Sequence, residues 1–204
     1  MEKLIDDLLE LSRVSRTALH RQSVDLSAIA EKIIAELKRG DRQRDRRFEC
    51  DAGLSARVDP RLFRLAIDNL IGNAWKYTAT RKDAWIHFGS RRDDNKTVFF
   101  VEDNGVGFDM RYAAKLFSPF QRLHGAEFDG TGIGLASVAR IVRRHGGNYR
   151  ATGEVGKGAC FYFTVSDDED SWQTPTATRP SAGGSKEVSR LFAAASKQQK
   201  HLQG

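Results

Sequence analysis

The chain has 204 residues, 40% hydrophobic and 29% charged, with a formal net charge of +6 and an isoelectric point of about 9.5. This is the composition of a soluble globular protein, one ordinary domain with extensions, and no apolar run reaches the roughly 20 residues that a membrane-spanning helix needs. The basic residues are scattered among acids, without interleaved aromatics, which speaks against nucleic acid as a partner.

In chain order, residues 1–19 are predicted to be helical, because Leu4, Ile5, Leu8 and Leu11 share one face. Alone, such a stripe is marginal in water and requires a partner helix. Glu2, Asp6, Asp7 and Glu10 interrupt any secretory signal in the same stretch. A cytoplasmic location without membrane contact by this segment is therefore expected. A second helix is predicted over 27–39, carrying Ile29, Ile33, Ile34 and Leu37 and ending at Gly40. "RRFECDAG" and "SARVD" are short β-like runs around a turn at Gly53.

Asp59-Pro60 is a strong helix start, with Asp59 as N-cap and Pro60 in the first turn. The helix it opens extends to about Thr78. "AWIHFGSRR" and "KTVFFVED" form a hairpin around the polar 93–95 stretch. "DMRYAAKLF" is a short helix stopping before Pro119, and 121–131 is a polar loop. A helix over 134–145 closes at Gly146-Gly147, and "NYRATGEVGKGACFYFTV" gives a last hairpin turning at 156–158. Residues 167–204, rich in Ser, Thr, Pro, Asp and Gly, read as a flexible linker or tail with a short weak helix. Helices and hairpins thus interleave without a βαβαβ rhythm. The fold class expected is α/β, a two-layer sandwich with a mixed, mostly antiparallel sheet and helices on one face.

Three stretches carry chemistry. In "DGTGIGLASV", Gly130, Gly132 and Gly134 precede a helix. The spacing lacks the sixth-position glycine of a dinucleotide fingerprint, since Leu135 stands there, and it lacks the Gly-Lys of a Walker loop. What survives is a backbone that can approach an anion, beside helix N–H groups with partial positive charge. In "VEDNGVGFD", Asp103 ends an apolar strand and Gly105 and Gly107 follow. That arrangement suits either an acceptor at a pocket floor or an ordinary Asp-Asn-Gly turn. In "DNLIGNAWKYT", Asn69 and Asn73 lie four apart on one helix face, with Lys76 and Tyr77 one turn on. They are either satisfied buried amides or oxygens facing Mg²⁺ and phosphate, with Lys76 neutralising charge. Cys50 and Cys160 stand at no zinc-ligand spacing and read as two reduced thiols.

Taken together, "NLIGNAWKYT", "DNGVGFD", "LFSPFQRL" and "GTGIGLASV" resemble the N, G1, F and G2 boxes of the histidine-kinase ATP-binding domain of the GHKL superfamily. "GEVGKGACFYF" resembles the closing hairpin. The wording is most similar to phytochrome-like and PAS-linked sensor kinases. The resemblance covers roughly 26–165 and implies ATP and Mg²⁺ as ligands. It implies that Asn73 coordinates Mg²⁺, with Asn69 its upstream partner near the phosphates. Lys76 would contact phosphate and Tyr77 would lie beside the nucleotide. Asp103 would bind the adenine amine in a pocket shaped by Gly105 and Gly107. Phe117 and Phe120 would form the base of an ATP lid that also carries Arg122. Gly130, Thr131, Gly132, Ile133, Gly134 and Leu135 would form the loop over the phosphates.

Gyrase-type members of the superfamily carry a general-base glutamate where this chain has Asn69, and an amide cannot take a proton from water. The resemblance therefore implies transfer of the γ-phosphate to a protein histidine, with a homodimeric helical hairpin and a response-regulator receiver domain as partners. No histidine here is followed by an acid, so none matches that acceptor. "LIDDLLELSRVSR" resembles the end of the hairpin's second helix. The organisation expected is 1–22 as that remnant, 23–166 as catalytic domain and 167–204 as tail. Two alternatives use the same boxes: a degenerate, nucleotide-free protein-binding module, and a serine kinase of the anti-sigma type.

Overall fold

The computed structural model describes residues 18–41, 46–93, 96–123, 128 and 130–166, together with positions 5, 8, 9 and 14, which are helical. The rest of the 1–19 helix and the tail over 167–204 lie outside the described residues. The elements are β1 (Gln22–Asp25), α1 (Leu26–Gly40), β2 (Arg47–Cys50), β3 (Ser55–Val58), α2 (Pro60–Tyr77), β4 (Trp85–Asp93), β5 (Lys96–Asp103), a 3₁₀ helix (Met110–Lys115), α3 (Gly134–Arg144), β6 (Tyr149–Glu154) and β7 (Gly158–Phe163).

Five strands form the main sheet in the order β2-β4-β5-β7-β6. Only β2 and β4 run parallel; the other neighbours are antiparallel. Period-two alternation sends Ile86, Phe88, Phe99, Val101, Phe161 and Phe163 into the core, where they meet Leu26, Ile33, Phe63, Ile67, Leu70 and Ile141 of the three helices. This is the expected two-layer α/β sandwich. The opposite sheet face carries half-buried Phe100 and Tyr162, with the Arg150 guanidinium 3.9 Å from the Tyr162 ring.

Local chemistry places the helices. Asp25 caps α1 by accepting from the Ala28 N–H at 2.9 Å. Asp59 caps α2 by accepting from the N–H groups of Arg61 (3.1 Å) and Leu62 (3.3 Å), as predicted. α3 starts differently: Ile133 precedes it and no side chain caps it, so its first N–H groups face the glycine loop without a side-chain acceptor.

Both runs around Gly53 are strands, but they do not pair with each other. "RFEC" joins the main sheet beside β4, whereas "SARV" pairs antiparallel with β1, a strand the sequence did not reveal. "DMRYAAKLF" contributes the expected short helix, a 3₁₀ helix over Met110–Lys115.

Candidate nucleotide-binding site

α2, the end of β5 and the start of α3 converge on one site. Asp103 closes β5 with 4% of its surface exposed. Burial pushes its carboxyl up to about 6, against hydrogen bonds from the Gly105 and Ala159 N–H groups that favour the anion. Gly105 donates to Asp103 Oδ1 at 2.8 Å. A carboxylate held this way, with room beside it, suits an exocyclic amine as donor.

The turn after Asp103 explains its glycines. Val106 N–H donates to the Tyr77 carbonyl at 3.1 Å and Gly156 N–H donates to the Val106 carbonyl at 2.7 Å. The turn is thereby wedged between the end of α2 and the β6–β7 turn. Gly107 sits at φ +62, and a Cβ there would collide with the Glu154 carbonyl. Arg81 adds a donor to the carbonyls of Gly105 and Gly156.

Asp103, Tyr77 and Gly107 line a cavity with Phe108, Leu116 and Gln121, and Arg122, Leu123, Leu135, Ala159 and Phe161 complete it. Its volume is about 50 Å³, far below the several hundred Å³ of an ordinary ligand pocket. A flat ring does not fit it as it stands, and the 116–123 segment supplies four of its lining residues, Leu116, Gln121, Arg122 and Leu123. That segment is pinned from two sides. Phe120 N–H donates to the Gly132 carbonyl at 3.0 Å, and Arg122 Nη2 donates to the Phe128 carbonyl at 2.7 Å. Phe128 packs edge-on to Tyr77 at 5.0 Å.

The second end of the site lies where α2 faces the glycine loop. Asn69 Nδ2 donates to the Leu65 carbonyl at 2.9 Å, which turns Oδ1 toward Gly134, where a Cβ would collide with it. Lys76 Nζ lies 4.3 Å from the Tyr77 ring centre and 3.3 Å from where a Gly130 Cβ would stand. Asn73 is half-buried one turn from Asn69 on the same helix. Among the described residues no group of three His, Cys, Asp or Glu could hold a metal. The donors at this end are amide oxygens, which fits a hard ion completed by phosphate and water, as Mg²⁺ is.

Some predicted residues stand apart. Phe117 packs on Tyr149 at 4.4 Å and on Phe161 at 6.4 Å, outside the cavity lining. Phe120 is 56% exposed at φ +63, a strained position for a bulky side chain. Ile133 is buried at 1% exposure, so only its backbone can face a ligand. Thr131 is half-buried and Gly130 exposed in the same loop, while Gly132 sits at φ +75 against the Phe120 and Gln121 backbone. Sequence reasoning missed Phe108, Leu116, Gln121, Leu123 and Phe128. Leu116, Gln121 and Leu123 lie within or beside "LFSPFQRL", and the apolar residues of that string were the available signal.

Reasoning also missed His145, which is fully buried. Its Nε2 accepts from the Asp59 N–H at 3.0 Å and its Nδ1–H donates to the Ile141 carbonyl at 2.7 Å. Burial lowers its pKa and keeps it neutral, a structural link between the start of α2 and the end of α3. Cys50 and Cys160 are free thiols, and burial pushes Cys160 up to about 12.

Comparison with known proteins agrees with this geometry. Residues 58–169, more than half of the chain, match the family of histidine kinase-, DNA gyrase B- and HSP90-like ATPases. The chain is 32% identical over 166 residues to cyanobacterial phytochrome A of Nostoc sp., covering 81% of this chain and 22% of that protein. It is 34% identical over 166 residues to the methanogenesis regulatory histidine kinase FilI of Methanothrix harundinacea, covering 81% and 19%. The chain thus spans about a fifth of the length of these relatives. Among solved structures, full-length ShkA in complex with AMPPNP aligns with a TM-score of 0.64 at 26% identity, over 80% of this chain and 35% of that one. The Acinetobacter baumannii histidine kinase AdeS aligns at 0.65 and 23% identity, over 82% and 79%, and shares the fold. The chain belongs to the histidine kinase-, DNA gyrase B- and HSP90-like ATPase family, and the site above lies in its ATP-binding domain.

Proposed function

We propose that the chain is the ATP-binding catalytic part of a two-component sensor histidine kinase. The observation that carries this is the pairing of two ends in one site. A buried carboxyl, Asp103, lines a small apolar cavity, and Asn69 and Lys76 face an uncapped helix start across the glycine loop. Asp103 accepts from the adenine amine, with Tyr77 beside the ring and Gly105 and Gly107 shaping the pocket. Asn73 would hold Mg²⁺, with Asn69 beside it near the phosphates; the bound ion would supply positive charge for the phosphates, and Lys76 adds its own. The backbone of 130–135 cradles the phosphates. Phe117 and Phe120 anchor the lid and Arg122 closes it.

Asn69 has no basicity with which to activate water, so ATP is held for a protein nucleophile. An imidazole nitrogen of an acceptor histidine attacks the γ-phosphorus, the bond to the β–γ bridging oxygen breaks, ADP leaves and the imidazole gives up its proton to solvent. The acceptor is supplied by the helical hairpin of the parent kinase, a homodimer in full length, to which 1–22 contributes a remnant. Residues 23–166 form the catalytic domain and 167–204 the tail. A receiver domain takes the phosphoryl group next. The related fold of ThkA was solved in complex with the response regulator TrrA, which supports that partner. No helix among the described residues is long and apolar enough to cross a membrane, in keeping with a cytoplasmic domain.

The test supplies the chain with Mg²⁺, γ-labelled ATP and a separately produced histidine-bearing hairpin from a relative. Acid-labile, alkali-stable label on the hairpin and none on this chain is the expected result. Acid-stable label on a protein serine would replace the reading with a serine kinase, and no nucleotide binding at all would replace it with a protein-binding module.

A further inference from the structure

A second and larger cavity, about 370 Å³, opens at the other end of β5 from Asp103. Thr97 in its wall and Asp103 are six residues apart on the strand, about 20 Å. Its polar walls come from Ser55 of β3, Arg92 and Thr97 across the β4–β5 ladder, Lys96 beside them, and Asn148 and Thr164 flanking the β6–β7 hairpin, over a buried Phe99. Among the described residues no carboxylate lines it. Neither Arg92 nor Lys96 makes an ion pair or a side-chain hydrogen bond among the described residues. Asp93 stands opposite Lys96 in the ladder, and no ion pair joins the two side chains among the described residues.

The remaining groups are disposed to donate. Thr164 Oγ1 accepts from the Asn148 N–H at 2.9 Å, which leaves the hydroxyl proton free to donate, and Ser55, Thr97 and the Asn148 amide add further donors. Two cations without an ion pair among the described residues, a ring of neutral donors and no acid among those residues are the complement of a compact dianion with several oxygens. The volume falls within the range of small-molecule sites. We propose that this cavity is an anion site for a small phosphorylated molecule, separate from the nucleotide cavity and independent of the kinase reading.

The cavity's position gives it a consequence. Ser55 pairs with Asp25 in the β1–β3 sheet, which directly follows the 18–21 segment. Arg21 of that segment donates to the Ser166 carbonyl at 3.0 Å, and Ser166 N–H donates to the His145 carbonyl at 3.0 Å. Ser166 and Gly146 also line the cavity. An anion there bridges the β4–β5 hairpin to the sheet that receives the chain from the N-terminal helix, so its occupancy stiffens that junction.

The experiment titrates the ¹⁵N-labelled full chain with inorganic phosphate, at constant ionic strength and with the nucleotide site saturated by Mg²⁺-ADP. The expected result is saturable shifts of the Ser55, Thr97, Gly146 and Thr164 amides with one common affinity. Arg92→Ala/Lys96→Ala should weaken that affinity at least tenfold, while Lys76→Ala leaves it unchanged. Both replaced side chains are exposed, and the single variants Arg92→Gln and Lys96→Gln, each giving part of the loss, guard against misfolding. Shifts that stay linear, that scatter over surface lysines, or that persist in the double variant would overturn the site. Anionic phosphatidylglycerol vesicles offer the same phosphate on a surface. Cosedimentation with them without any response to free phosphate would also overturn a small-molecule site.

Discussion

In the proposed role at the adenine end, Asp103 trades stability for binding. Its carboxyl is held up to about 6 from 3.8 by burial, so the folded state prefers it protonated. The sign follows: stability from this group is complete below about pH 4 and is lost as pH rises through 6. Holding the carboxyl there corresponds to about 3 kcal/mol. Binding an adenine amine needs the opposite form, the carboxylate. Adenine-nucleotide affinity should therefore fall as pH drops through 6, measured by calorimetry between pH 5 and 8. Asp103→Asn should raise the melting temperature at pH 7.5 while flattening that affinity profile. His145 has the reverse sign, because burial lowers its pKa below 6.5. Its stabilising contribution is present above that value and is lost as pH falls below it. His145→Ala leaves the Asp59 N–H without its acceptor and removes the side-chain donor to the Ile141 carbonyl, which keeps the backbone N–H of residue 145. It should cost about 2–4 kcal/mol and remove the acid sensitivity below pH 6.5, read from chemical denaturation at pH 5.5 and 7.5.

At the scale of elements, three glycines separate fold from site. Gly107→Ala places a methyl against the Glu154 carbonyl at positive φ and should destabilise the domain by at least about 1–3 kcal/mol. Gly134→Ala meets only the end of the Asn69 side chain. It should fold nearly as well as the natural chain and bind Mg²⁺-ATP at least tenfold more weakly. Gly72, within α2, has nothing within 4 Å of an added Cβ, so Gly72→Ala should stabilise by about 0.5–1 kcal/mol without changing affinity. Urea denaturation together with nucleotide titration distinguishes the three outcomes. The same elements show what was legible in the sequence. The Asp59-Pro60 start, the two later hairpins and the α3 glycine loop are local signals of capping, alternation and turn chemistry, and the structure has them in place. β1 and the separate fates of "RFEC" and "SARV" were not legible. Four-residue strands carry too little periodicity to name a partner, and their pairing is decided by the core between α1 and the sheet. The cavity was legible at Asp103, Tyr77 and Gly107. It was not legible at Phe108, whose place depends on how the turn before the 3₁₀ helix folds back against β6 and β7.

At the scale of the whole molecule, α2 and α3 lie antiparallel with different tasks at their two ends. The start of α3 faces Asn69 across Gly134, while its far end is tied through His145 to Asp59 at the start of α2. The 18–21 segment joins that same far end, since His20 N–H donates to Asp59 Oδ2 at 3.1 Å and Arg21 Nη2 to the Arg144 carbonyl at 3.2 Å. A nucleotide that draws the glycine loop onto its phosphates thus acts on helices whose other ends hold the N-terminal segment. The proposed function depends on one site binding Mg²⁺-ATP through Asp103 at one end and Asn73 at the other. Calorimetric titration of the chain with ATP, with and without Mg²⁺, tests it most directly. The account predicts saturable one-to-one binding that weakens more than tenfold in Asp103→Asn, and loss of the Mg²⁺ dependence in Asn73→Ala. Absence of binding by the natural chain, or equal affinities in all three proteins, would contradict it.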